Sequence, residues 1–119
     1  MQPDIGRVGG ITEAVRVVQM ALDRGKIVVP HCWKTRIGVV ATAHVAAVER
    51  RCRFMEFQPS PVACSRLRRE LVEEELKVVN GKIPLPQRPG LGFELRPAAL
   101  AGFAAAAEQK YVIGKGAVS

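Results

Sequence analysis

Three residues of types that move protons each stand at the end of a short strand-like stretch. After Lys26, the run Ile27-Val28-Val29 is apolar and β-branched, and it stops on Pro30-His31. Arg53-Phe54-Met55 leads to Glu56 and is stopped, one residue on, by Gln58-Pro59-Ser60-Pro61. Near the start, Gln2-Pro3-Asp4 runs into a segment with three glycines, which reads as a strand end and a tight loop, with Asp4 at the tip. The carboxyl ends of parallel strands are where α/β proteins place their chemistry. An aspartate beside a histidine can accept the imidazole Nδ1–H, which fixes the tautomer and leaves Nε2 to act as a base. Glu56, from the next strand, would face the same pocket.

The elements that would position these residues follow from periodicity. From Thr12 to Arg24, Ala14, Val17, Val18 and Ala21 fall on one helical face, Thr12 or a preceding glycine can cap it, and Arg24-Gly25 is a stop signal. Ile37 to Val48 is helical in pattern but apolar almost all round, with small residues that allow close packing against a sheet. Strands separated by helix-length spacers indicate βαβ units and a parallel sheet. Past Pro61 the pattern changes. Ser65 to Val72 predicts a short amphipathic helix, with Arg66/Glu70 and Arg69/Glu73 spaced to pair, and Glu73-Glu74-Glu75 reads as a solvated charge run. Leu76–Val79 and Lys82–Leu85 flank Asn80-Gly81, a hairpin signal. Pro97 to Ala107 predicts a helix with Pro97 in its first turn, and residues 108–119 show no period and read as a loose tail.

Composition bounds the class. A chain of 119 residues, 48% hydrophobic and 24% charged, is one ordinary domain by length and is neither disordered nor membrane-spanning. No apolar run approaches the ~18 residues of a membrane span, and Met1-Gln2-Pro3-Asp4 shows no secretory signal. Cys32, Cys52 and Cys64, an odd set without a CxxC pair, point to reduced thiols in a cytoplasmic setting, each a small buried hydrophobe. The net charge of +7 raises a nucleic-acid partner, but the basic residues are dispersed and aromatics are only 5%, so no stacking platform accompanies them and nucleic acid is disfavoured.

Plainer readings stand beside these. Asp4 could be a turn residue or helix cap, and Glu56 could pair with an arginine such as Arg7. His44 shares a face with Ile37, Val40, Ala41 and Val48 and reads as a packed helix residue. The histidines and cysteines do not have zinc-site spacing. Pro89-Gly90-Leu91-Gly92 lacks the strand-before, helix-after context of a phosphate loop and reads as a bend.

An ordered set of four motifs carries a resemblance. These are Gln2-Pro3-Asp4-Ile5-Gly6-Arg7-Val8-Gly9-Gly10-Ile11-Thr12-Glu13, Val29-Pro30-His31-Cys32-Trp33, Phe54-Met55-Glu56-Phe57 and Pro89-Gly90-Leu91-Gly92. Together they resemble the C-terminal part of the enolase superfamily, in the mandelate racemase and muconate lactonizing enzyme branch with its acid-sugar dehydratases. The likeness runs from Gln2 to about Phe103. It implies an α/β fold, the last strands and helices of a (β/α)₇β barrel. Residues 1–58 would hold the ends of strands six to eight, 59–107 a helix–hairpin–helix segment, and 108–119 the tail. It implies His31 as general base, Asp4 orienting it, and Glu56 as acid or hydrogen-bond donor to a substrate carboxylate. It implies a magnesium ion that binds a small carboxylate or acid-sugar substrate, with racemisation, dehydration or cycloisomerisation as the outcome.

The same resemblance assigns the magnesium ligands and a lysine motif to earlier strands. The expectation is therefore a truncated piece with an incomplete barrel, inactive unless an upstream fragment complements it, or self-associating through exposed edges. Arg36 stands where the family suggests a small residue. The alternatives from other classes are a small basic module binding a partner chain or nucleic acid, and a non-functional remnant.

Overall fold

Four side chains at helical spacing, Ala14, Val18, Ala21 and Leu22, form the face around which the chain packs. A computed structural model describes residues 1–33, 35–58, 65–73 and 76–115, with side chains as far as Ala107. Cys64, Pro59-Ser60-Pro61, Glu74, Glu75 and residues 116–119, on which expectations were placed, lie outside the described residues. Helix α1 spans Ile11–Asp23 and starts from Gly10, with no side-chain cap, so the glycine rather than Thr12 begins it. It ends where the Arg24 and Gly25 amides bond back to the carbonyls of Ala21 and Leu22.

Helix α2 spans Arg36–Val48, and the Thr35 side chain caps it by accepting from the Gly38 amide. Val39, Val40, Thr42, Ala43 and Val45 are all buried, so the helix is covered on more than one side, as its apolar pattern requires. Gly38 is needed for a close approach: a Cβ there would lie 2.5 Å from the Cys32 sulfur.

Three extended segments lie side by side and parallel. The Val29 amide donates to the Met1 carbonyl at 2.9 Å, the His31 amide to Pro3 at 3.1 Å, and the Glu56 amide to Pro30 at 2.9 Å. These bonds make isolated bridges, Asp4 with His31 and His31 with Glu56, rather than long ladders. Alternation along the segments then separates two faces. Pro3, Ile5, Val28, Pro30 and Cys32 point to the helices and are buried. Ile5, Val28, Cys32 and Cys52 join α1 and α2 in one core with Val18, Ala41 and Val45. On the alternate positions Ile27 is 79% exposed and Phe54 68%. Burial pushes the Cys52 thiol up from its ordinary value, so it stays protonated and behaves as a core hydrophobe.

Helix α3 spans Arg66–Glu70, capped by Ser65. It stops short of Val72 because Val72 pairs instead with Leu95 in an antiparallel bridge. The Arg66 fork on Glu70, at 3.0 and 3.1 Å, holds that carboxyl below the usual range. The small stabilisation it adds is present above the unfolded carboxyl's titration and is lost as pH falls through the folded one. Val79 and Lys82 exchange both backbone bonds across Asn80 and Gly81, whose φ values of 49° and 72° suit a tight hairpin turn. The pairing goes no further among the described residues.

Helix α4 spans Pro97–Lys115. It therefore continues past Ala107 through eight residues read as loose tail. The chain's radius of gyration, 16.8 Å, exceeds the roughly 13.5 Å of a compact chain this long. The accessible surface is 8439 Å², against roughly 6300 Å² for a self-contained monomer of this mass. The open sheet face and the outlying α4 are where apolar surface is left uncovered.

The contact at Gly38 sets a first prediction. Gly38→Ala should gain about 1 kcal/mol of helix propensity yet lose about 1–3 kcal/mol to overpacking against Cys32, a net destabilisation in urea unfolding. Adding Cys32→Ala should recover more than additivity allows.

Candidate functional site

Asp4, His31 and Glu56 come together because each is the bridge residue of its segment. Two successive parallel pairings put the three side chains on one face, at the ends of neighbouring extended segments. Each is partly buried. His31 Nδ1 lies 3.6 Å from Asp4 Oδ2, with the side chains 24% and 10% exposed. That is ion-pair distance once the ring is protonated but too long for a hydrogen bond. His31 Nδ1 is accordingly a buried ring nitrogen without a hydrogen-bond partner.

Asp4 is held from its other side. The Gly6 amide donates to Oδ1 at 2.8 Å, so the turn-residue reading of Asp4 is correct as well. Arg7 Nε stands 3.7 Å from Oδ2, so the arginine weighed as a partner for Glu56 lies on Asp4 instead. Glu56 accepts a short hydrogen bond from Gln2 Nε2 through Oε2.

Two further residues border the site. Gln2 ties down the Glu56 carboxylate, and Trp33, 48% exposed, sets its ring 4.9 Å from the His31 ring at a tilt of 57°. Both stand two residues from a named site residue, and the alternation of side chains along an extended chain could have flagged them. His44 is a packed helix residue, with Nε2 3.4 Å from the Leu91 carbonyl. Arg36 does not enter the pocket as a solvated cation. It is 6% exposed, and its Nε bonds the Arg68 carbonyl at 3.4 Å.

Among the described residues no group of three or more His, Cys, Asp or Glu side chains could hold a metal ion. The described donor set does not by itself fit a magnesium site. No helix among the described residues is long and apolar enough to cross a membrane. Clefts also occur away from these residues. One of about 760 Å³ sits between α2 and the hairpin segment, lined by Val40, Leu76, Val79 and Phe93, and carries none of the three site residues.

Trp33 is the only tryptophan in the chain, so its emission reports on the imidazole beside it. Protonated imidazole quenches indole fluorescence. Acidification should therefore dim Trp33 emission, and His31→Gln should remove the drop. A drop unchanged in His31→Gln would show that the two rings are not in contact in solution.

Comparison with known proteins places this geometry. The family described as Enolase C-terminal domain-like matches residues 1–99. The chain is 28% identical over 116 residues to D-galactarolactone cycloisomerase of Agrobacterium fabrum (strain C58 / ATCC 33970), covering 87% of this chain and 29% of the relative. A crystal structure of a protein proposed to be a racemase superposes with a TM-score of 0.70 at 38% identity, covering 85% of this chain and 27% of that one. The chain thus spans under a third of the length of the relatives it matches. With its α/β architecture and the match over most of its length, the chain belongs to the enolase superfamily, in the branch of mandelate racemase and muconate lactonizing enzyme.

Proposed function

We propose that this chain is the base-bearing, C-terminal part of an enzyme that removes the proton next to a carboxylate, of the racemase, cycloisomerase or acid-sugar dehydratase type. The observation that carries the reading is the pair of parallel bridges that set Asp4, His31 and Glu56 side by side. In this scheme His31 Nε2 takes the proton from the carbon next to the substrate carboxylate. Asp4, 3.6 Å from Nδ1, offsets the charge the ring gains. Glu56 donates a hydrogen bond to the carboxylate as it becomes an enediolate, with Gln2 holding its other oxygen.

A proton in that position is very weakly acidic, and one histidine and one carboxyl group fall short of the stabilisation the enediolate needs. Magnesium supplies Lewis-acid stabilisation in such chemistry. The residues described here do not form its site, so its ligands would have to come from protein beyond these residues. We therefore read the chain as inactive alone and completed by a segment that covers its open face. The face carries Ile27 and Phe54. The roughly 2100 Å² by which the chain exceeds a self-contained monomer is more than the roughly 800 Å² that each partner buries in a standard interface. Reduced, buried Cys32 and Cys52 suit a cytoplasmic setting. The (β/α)₇β barrel is then the architecture of the completed assembly, with residues 1–58 as its closing strands.

The test is exchange of the α-proton of an acid sugar for deuterium, followed by NMR with magnesium present. The chain alone should be silent. Mixed with a polypeptide carrying the amino-terminal part of the family, it should support exchange, and His31→Ala should lower the rate by about 10²–10⁴-fold. Exchange by the chain alone that survives His31→Ala would overturn the assignment of the base.

A further inference from the structure

Arg68 has no place in the proton chemistry above, yet it is 4% exposed, among the most buried charged side chains described. Its contacts are directional. Nη2 donates to the Gln58 carbonyl at 2.5 Å, and the guanidinium carbon lies 6.0 Å from the centre of the Phe57 ring. Arg68 thus grips the two residues that directly follow Glu56, one through its backbone and one through its ring. At its other end the Arg68 carbonyl accepts from Arg36 Nε at 3.4 Å, and Arg36 is the first residue of α2, the helix entered five residues after His31. The Ser65 side chain and carbonyl both accept from the Arg68 amide, at 3.2 and 3.1 Å, which fixes the arginine in the first turn of α3.

We infer that Arg68, acting with Arg36, is a positioning residue that braces the tip carrying Glu56 against the helix that follows His31, and so sets the spacing of acid and base. The inference rests on the proposed roles of His31 and Glu56. On the sheet side the two tips meet at one parallel bridge, His31 with Glu56, in which the Glu56 amide donates to the Pro30 carbonyl at 2.9 Å. Among the described residues that pairing is not continued beyond Glu56. The arginine contact adds a second support beyond the tip, so segment 56–58 cannot pivot about the first. Filling space does not explain the arginine. An unbranched apolar side chain would occupy the same volume, whereas Arg68 leaves its Nη1 buried with no hydrogen-bond partner. What the guanidinium provides is simultaneous donation to Gln58 and a delocalised cation over the Phe57 ring.

The test reads both tips without substrate, so a failure of the α-proton assay leaves it standing and its own failure leaves that assay untouched. On the Glu56 side, Arg68→Met should raise amide hydrogen exchange at Glu56 by about tenfold more than at the α1 core amide of Val18, which follows global stability. On the His31 side, it should cut the acid-induced dimming of Trp33 by about half or more, with the helical circular dichroism retained. Arg68→Lys should fall between, since an ammonium can reach Gln58 but cannot also lie flat on Phe57. Arg66→Met, which breaks the exposed pair with Glu70, should leave both readouts unchanged. Equal acceleration of the Glu56 and Val18 amides in Arg68→Met, with full dimming, would mean the arginine merely stabilises the fold and would overturn the inference. If Arg68→Met does not fold, Phe57→Leu removes only the ring beneath the guanidinium. It should give the same local effects at smaller size, and their absence in the folded variant overturns the inference equally.

Discussion

Two backbone hydrogen bonds, from the His31 amide to Pro3 and from the Glu56 amide to Pro30, bring Asp4, His31 and Glu56 together. They fix the register of three extended segments. Because side chains alternate, a slip of one residue in either pairing would turn His31 or Glu56 to the helix side. The register is held by the buried face rather than by the bonds themselves. Val28 and Ile5 are 3% and 5% exposed, and a slip would drive apolar groups of that size into water at about 1.5–3 kcal/mol each. The core under α1 and α2 therefore positions the site on the opposite face of the same segments.

That arrangement explains why one face is finished and the other is not. The helix side has what a parallel sheet needs: small residues on α2, a cap at Thr35, and a glycine where Cys32 comes close. The other side presents Ile27 and Phe54 to solvent on the face that carries the ionisable side chains of Asp4, His31 and Glu56. An apolar surface of this extent next to a pocket is expected where more protein packs. The same openness leaves the His31 side chain 24% exposed, so water competes for any charge formed there.

Much of this was legible in the residues. Helix α1 could be read because it buries one face, and burial on one face is what writes a 3.6-residue period. Helix α4 was under-read for the converse reason. Most of its described side chains are exposed, so it has no period, and alanine-rich propensity alone carries it. Helix α3 was over-read because Leu71 and Val72 extend the amphipathic pattern, whereas the pairing of Val72 with Leu95 is a contact over 23 residues that no local window contains. Asn80-Gly81 fixed the turn, since turn chemistry is local, but not the reach of the hairpin. In the site, the strand-end positions of Asp4, His31 and Glu56 were readable from where apolar runs stop. Arg36 was placed beside the site as a departure from the family, and only packing shows that it points to the Arg68 backbone.

Asp4 faces two cations at almost equal distance, Arg7 at 3.7 Å and the potential imidazolium of His31 at 3.6 Å. Distance does not decide between them; exposure does. The Arg7 side chain is 73% exposed, so water screens its attraction, and a pair about 4 Å apart in water is worth about 1 kcal/mol. His31 is 24% exposed and Asp4 10%, where the effective dielectric is lower and the same separation is worth about four times as much. Asp4 cannot swing toward Arg7, because Oδ1 is anchored on the Gly6 amide. The aspartate is therefore committed to the histidine by its turn and by burial before any hydrogen bond forms. A cover that excluded water from the open face would strengthen that commitment without moving a residue of this chain. The pairing of Asp4 with His31 is thus intrinsic to these residues.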